Sequence, residues 1–243
     1  MSQSRYRERI YRHYVEAATQ SLAPHTLEGL APRRPYLARL VARHFPPARD
    51  AAILDLGCGH GALLHAARET GYTNLLGVDN SPAQVAAARK LGITGVTQGD
   101  LLETIRTLPA SSRDAIIAFD VIEHFTKDEL IDVTDEVLRV LKPGGRWIVH
   151  VPNGVSPFSG ASRYDDLTHE LSFTCESLTQ LTIASGFRSV AFFEDEPVAH
   201  GLKSAVRLVL WKAMRAMLRF YLTVETGAAQ PVLTQNMLAV AIK

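Results

Sequence analysis

The sequence predicts an α/β domain built on a largely parallel sheet, with helices wound on both of its faces. Three observations predict it. Between residues 51 and 151, short apolar runs alternate with helical stretches of about ten residues, which is the rhythm of βαβ units. The first of those runs ends in a glycine-rich turn that leads into a helix-like segment. The chain's 243 residues, 47% hydrophobic and 21% charged, are enough to bury one sizeable core.

The elements follow in order. Tyr6, Ile10, Tyr14 and Ala17 recur at three-to-four spacing and predict an amphipathic helix over residues 3–20. A second helix runs from Pro35 to His44, where Pro46-Pro47 stops it. Residues 1–50 thus read as a helical cap ahead of a domain over 51–243. Strands are expected at Ala51–Leu56, Asn74–Val78, Thr94–Gln98, Asp114–Phe119 and Arg146–Val151. Helices are expected at Ala62–Glu69, Ala83–Leu91, Leu101–Thr107 and Lys127–Leu141. Ser81-Pro82 opens the second of these as a capping residue followed by proline. Pro143-Gly144-Gly145 turns the chain into the fifth strand. Beyond Pro152 the rhythm breaks, and residues 152–173 read as a long loop of the kind that is usually functional. A helix at Glu176–Ser185, a strand at Phe187–Phe193, a long helix at Leu202–Val224 and a strand at Gln235–Ile242 complete the chain.

Charge divides the chain into three parts. Residues 1–50 carry +5, residues 51–200 carry −9 and residues 201–243 carry +5, within a formal net charge of +1. So acidic a middle makes a poor nucleic-acid surface, whereas either basic end can meet an anionic partner. Cys58 and Cys175 cannot make a disulfide scaffold, so a cytoplasmic setting is expected. The Arg-rich N-terminus has no apolar run of the secretory kind.

Chemistry concentrates first in Asp55-Leu56-Gly57-Cys58-Gly59-His60-Gly61. Glycines at the carboxyl end of a first strand let the backbone pass close to a ligand, and the next helix aims free amides at it. The spacing also fits a dinucleotide fingerprint, so by itself the turn is ambiguous. Asp55 at the strand end suits a cationic group such as an ammonium. Asp79 closes the second strand, where a carboxylate can accept two hydrogen bonds from ribose hydroxyls or cap the following helix. Asp100 can receive an adenine amino group or cap Leu101–Thr107.

Together these residues resemble the class I S-adenosylmethionine-dependent methyltransferases. The resemblance rests on Asp55–Gly61, Asp79, Gly99-Asp100, the strand Asp114–Asp120 and the turn Leu141-Lys142-Pro143-Gly144-Gly145. It implies a Rossmann-like, doubly wound sheet of seven strands with the last, Gln235–Ile242, antiparallel. It implies S-adenosylmethionine as methyl donor and S-adenosylhomocysteine as product. Asp55, Gly57, Cys58 and Gly59 would hold the methionine part, Asp79 and Asn80 the ribose, Asp100 and Leu101 the adenine, with Asp120 also lining the cofactor. No Asn/Asp-Pro-Pro-Tyr stretch follows the fourth strand, which disfavours nitrogen of nucleobases.

Two polar clusters are candidates for the acceptor chemistry. Val121-Ile122-Glu123-His124 resembles small-molecule O-methyltransferases, including those of quinone biosynthesis. His124 can act as a base near neutral pH, or can share a divalent metal with Glu123, or can simply line the cofactor. No metal site is assigned. The second cluster, Arg163-Tyr164-Asp165-Asp166-Leu167-Thr168-His169-Glu170, lies in the long loop and suits a polyhydroxyl ligand. His169 is the expected general base, with Asp165 or Asp166 orienting it and Arg163, Tyr164 and Glu170 contacting the acceptor. The surrounding stretch looks like methyltransferases of bacterial cell-surface polysaccharides. A sugar hydroxyl is therefore the expected acceptor, and a phenolic or quinone-like molecule the alternative. In Leu202–Val224, Ala205, Val206, Val209, Leu210, Ala213, Ala216, Met217 and Phe220 share one arc. Four readings stay open for it: packing on the sheet, a homodimer face, a lid, or peripheral contact with a membrane.

Overall fold

A computed structural model of the chain describes residues 23–228 and 232–243, together with Tyr6, Arg9 and Ile10. Those three are helical, and the rest of the helix expected over 3–20 lies outside the described residues. The strands are β1 (Ile53–Leu56), β2 (Leu75–Asp79), β3 (Val96–Gln98), β4 (Arg113–Phe119), β5 (Leu141–Pro152), β6 (Ser189–Glu194) and β7 (Asn236–Ile242). They form one sheet in the order β3-β2-β1-β4-β5-β7-β6. β1 to β5 pair in parallel, while β7 is antiparallel to both of its neighbours, β5 and β6. The seven-stranded sheet with its antiparallel last strand is as expected. Strand order reverses between β1 and β4, which opens a crevice at their carboxyl ends.

The helices are α1 (Arg34–His44), α2 (Ala62–Glu69), α3 (Pro82–Lys90), α4 (Leu101–Thr107), α5 (Lys127–Val140), α6 (Ser159–Arg163), α7 (Cys175–Ala184) and α8 (Leu202–Thr226). The two-residue period of a strand sends alternate side chains to opposite faces. Ile116 and Ala118 of β4 join Leu54, Trp147 and Val149 under α4, α5 and α7. Ala115 and Ile117 join Ile53 and Ile148 under α1, α2 and Ala88 of α3. Each such aliphatic side chain, fully buried, contributes about 1.5–3 kcal/mol, so both layers are firmly held beneath the site. Ser81 caps α3, Asp100 caps α4, and Thr126 with Glu129 forms a capping box on α5.

Three segments depart from expectation. The turn at residues 141–145 is built into β5 as a register shift, so that Leu141 pairs with Arg113 and Arg146 already with Ala115. The long loop contains the short helix α6 and is tied down by the buried Asn153, whose Nδ2 donates to the carbonyls of Val232 (3.1 Å) and Thr234 (2.9 Å). The third departure is α8. Its apolar arc does not pack on the sheet, and among its residues Arg215 alone is buried, against Glu194 of β6. β6 alternates between exposed and half-buried positions, and its half-buried Val190 and Phe192 already pack against the core.

Candidate active site

The crevice at the carboxyl ends of β1 and β4 is an open cleft, with a cavity volume of about 190 Å³. Asp55, Gly57, Cys58, Gly59, Phe119 and Asp120 line it, along with Arg33, Leu37, His60 and Gln84. The turn after β1 needs glycine at alternate positions. Gly57 has φ +68°, and a Cβ there would come within 2.4 Å of Val121 Cγ2. Gly59 has φ +55° and nothing closer than 3.7 Å to such a Cβ, so its face is left open. Backbone amides are thus presented to the cleft.

Asp55 sits at its floor, 2% exposed, and its Oδ1 has no hydrogen-bond partner. Burial, and secondarily the charge of Asp79, push its pKa up to about 8. A cationic ligand group would relieve both. Cys58 is driven far above its usual range by burial and by the charges of Asp55 and Asp79, so its thiol stays protonated and serves packing. Asp79 is raised by burial, an effect opposed by its hydrogen bonds. Its Oδ2 accepts from the Gly59 amide at 2.8 Å and its Oδ1 from the Ser81 amide at 2.9 Å. It therefore ties the glycine turn to β2, and each oxygen keeps a second lone pair for a ligand hydroxyl. Asn80 is exposed beside it. Asp100 accepts from the Glu103 amide at 2.9 Å as the cap of α4, and Leu101 packs against the core.

Asp120 adopts φ +56°, a left-handed conformation that costs energy in any residue but glycine. Its carboxylate meets His150 Nδ1 at 2.5 Å, and Asp195 lies 3.5 Å from the other ring nitrogen. Burial alone would keep His150 neutral, but the two acids, Asp120 foremost, raise its pKa to about 10. The imidazolium, stacked on Phe119, holds Asp120 in its strained position.

The acceptor clusters meet above this floor. The loop is pinned by the amides of Glu170 (2.8 Å) and Leu171 (3.0 Å), both donating to the Glu123 carbonyl. This places His124 and His169 with ring centroids 4.7 Å apart. Asp166 accepts from the Thr168 hydroxyl at 2.6 Å, and that hydroxyl lies 2.8 Å from His124 Nδ1. Burial, and then His169, hold the His124 pKa down at about 4. His169 Nδ1 has no hydrogen-bond partner and lies 3.6 Å from Asp165. Glu123, 1% exposed and also without a partner on Oε2, is raised to about 8 by burial and by Asp120. Donor atoms of Glu123, His124 and His169 all lie within 4.8 Å of one another, a spacing that a divalent ion can bridge.

The other loop residues divide. Arg163 donates to the carbonyls of His169 (2.6 Å) and Glu170 (2.8 Å), so its guanidinium holds the loop's shape. Tyr164 is 79% exposed, with the Arg163 guanidinium over one face of its ring, 5.1 Å from the centroid. Glu170 accepts from the hydroxyl of Tyr6. Sequence reasoning did not find Arg33 or Gln84, which only the fold brings to the cleft, and gave His60 of the glycine turn no role. It also missed Thr168 as the link between Asp166 and His124.

Residues 53–145 match the family model of a methyltransferase domain. The chain is 29% identical over 136 residues to a probable S-adenosylmethionine-dependent methyltransferase of Mycolicibacterium smegmatis, covering 56% of this chain and 51% of that protein. It is 32% identical over 111 residues to the ubiquinone biosynthesis O-methyltransferase of Xylella fastidiosa, covering 44% of each. The chain thus spans about half the length of these curated relatives. Its fold is similar to that of a crystal structure of a SAM-dependent methyltransferase from Archaeoglobus fulgidus, with TM-score 0.65, 20% identity, and 89% of this chain and 100% of the other covered.

Proposed function

We propose that the protein is a class I S-adenosylmethionine-dependent methyltransferase that moves a methyl group from S-adenosylmethionine to a hydroxyl oxygen, a reading supported by the match of residues 53–145 to the methyltransferase-domain family. The observation that carries the reading is Asp55: a buried carboxylate oxygen with no partner, beside a glycine turn, is a place for an ammonium. Asp79 and Asn80 would take the ribose, Asp100 and Leu101 the adenine, and Gly57, Cys58, Gly59 and Asp120 would line the rest. Bound there, the cofactor supplies an activated methyl whose leaving group needs no acid.

What the protein must add is alignment and a proton acceptor. A useful base titrates near the working pH. His124, held at about 4, is too weak, and we assign the acceptor's hydroxyl proton to His169, whose Nδ1 has no hydrogen-bond partner. His124, fixed through Thr168 to Asp166, supports the neighbouring ring. Asp165 is positioned to stabilise His169 once it is protonated. Tyr164 and Glu170 would contact the acceptor, with Arg163 shaping the loop under them. An exposed ring and carboxylates suit a sugar, and a hydroxyl of a cell-surface glycan or its precursor is the favoured acceptor. The likeness to a ubiquinone O-methyltransferase supports a phenolic or quinone-like acceptor as the second reading. The charge of −9 over residues 51–200 argues against nucleic acid.

Calorimetric titration with S-adenosylhomocysteine, with NADH as control, tests the cofactor reading. Binding of the first and not the second is expected; the reverse overturns it. Methyl transfer to a panel of glycans and phenols then tests the acceptor, and cofactor binding without turnover on any of them would favour a silent binding subunit.

A further inference from the structure

We propose that α8 lies in the plane of an anionic lipid bilayer, its apolar face against the acyl chains. α8 has 25 residues, which makes it about 38 Å long. At 100° per residue, Val206, Val209, Leu210, Met217, Phe220 and Val224 fall within an arc of about 100°. They are exposed on the side opposite Arg215, which anchors the helix to Glu194. Val209 is 66% exposed, and Met217 and Phe220 are each 72% exposed. Contiguous apolar surface on this scale marks an interaction site.

The charges select the occupant. Arg207 flanks the arc on one side, with Lys203 at its edge, and Lys212 and Arg219 flank it on the other. Basic residues on both borders of an apolar face let the long side chains reach headgroup phosphates while the apolar face enters the boundary. A second copy would set basic flank against basic flank, since Glu225 is the only acid on the helix. Insertion across the bilayer is a different matter: among the described residues, no helix is long and apolar enough to cross a membrane.

The test is co-sedimentation of the full chain with vesicles of phosphatidylglycerol and phosphatidylcholine, against vesicles of phosphatidylcholine alone. Binding to the anionic vesicles, weakened by salt, is expected. Met217→Glu with Phe220→Glu should abolish it, and Lys203→Glu with Lys212→Glu should weaken it by about thirtyfold or more. These side chains are exposed, so thermal melts and S-adenosylhomocysteine titrations should match the parent. Failure to sediment with anionic vesicles overturns the proposal, whatever the cofactor titration gives. So does sedimentation indifferent to the Met217 and Phe220 changes. A dimer broken by Phe220→Glu, with no vesicle binding, would assign the face to a second copy instead.

Discussion

Replacing Asp55 with asparagine should separate stability from binding, because without a ligand the carboxylate is a liability. Burial, and then Asp79, raise its pKa from 3.8 to about 8. The folded state therefore holds the proton more tightly than the unfolded chain, and stability falls as pH rises between those values. About four pH units, at about 1.36 kcal/mol each, set a ceiling on the order of 5 kcal/mol. Water in the open cleft lowers the real cost to about 1–3 kcal/mol. Asp55→Asn keeps the shape and removes the charge. Its stability relative to the parent should climb by that amount between about pH 4 and about pH 8 and stay level above. Glu123 titrates in both proteins and cancels from the difference. Affinity for S-adenosylhomocysteine should fall by roughly 10–100-fold, the loss of one charge-assisted hydrogen bond. Urea melts across that pH range, paired with calorimetric titrations, measure both. A relative stability that stays flat or falls with pH, or undiminished affinity, would refute the assignment.

Asp79→Ala should weaken S-adenosylhomocysteine binding by about 1.5–3 kcal/mol, and unchanged affinity in calorimetry would remove the ribose role. Because it also strips the Gly59 and Ser81 amides of their acceptor, a modest loss of stability in the melt should accompany it. His169→Ala should cut turnover by roughly 10²–10⁴ while cofactor affinity holds; near-parental turnover would mean that alignment suffices. If His169 acts as a base without metal help, protein dialysed against a chelator should turn over at the untreated rate in a methyl-transfer assay. A loss restored by a divalent ion would instead assign Glu123, His124 and His169 to that ion.

The sheet was legible because its signals are local. Apolar runs, the Ser81-Pro82 helix start and the glycine turns each act within a few residues, and their order implied βαβ winding. The placement of three acids was legible for the same reason: Asp55 and Asp79 sit at the carboxyl ends of β1 and β2, and Asp100 two residues beyond β3. What escaped depends on contacts far apart in the chain. Arg33 reaches the cleft because Leu37, Leu40 and Val41 of α1 are buried on one face of the sheet. Asp120 depends on His150 and Asp195, partners that sequence spacing does not reveal. The arc on α8 was visible as a pattern, but its direction was set by the ion pairs of Arg215 and Arg219 with Glu194, which turn the apolar side outward.

Those exceptions share a physical character. A chain that answered only to stability would not bury Asp55 and Glu123 each with a carboxylate oxygen unpaired, since an unsatisfied buried polar atom costs free energy. Nor would it hold Asp120 at a left-handed φ and leave Phe220 in water. Asp120 is answered within the chain by His150, while the proposals above answer two of the others from outside it: an ammonium for Asp55 and an apolar phase for the helix. The site acids also have to be placed with care, because a carboxylate against the sulfonium would stabilise a charge that the transition state disperses and so slow the transfer. Assigning Asp55 to the ammonium and Asp79 to the ribose avoids that penalty. It uses negative charge to bind the parts of the cofactor that do not react.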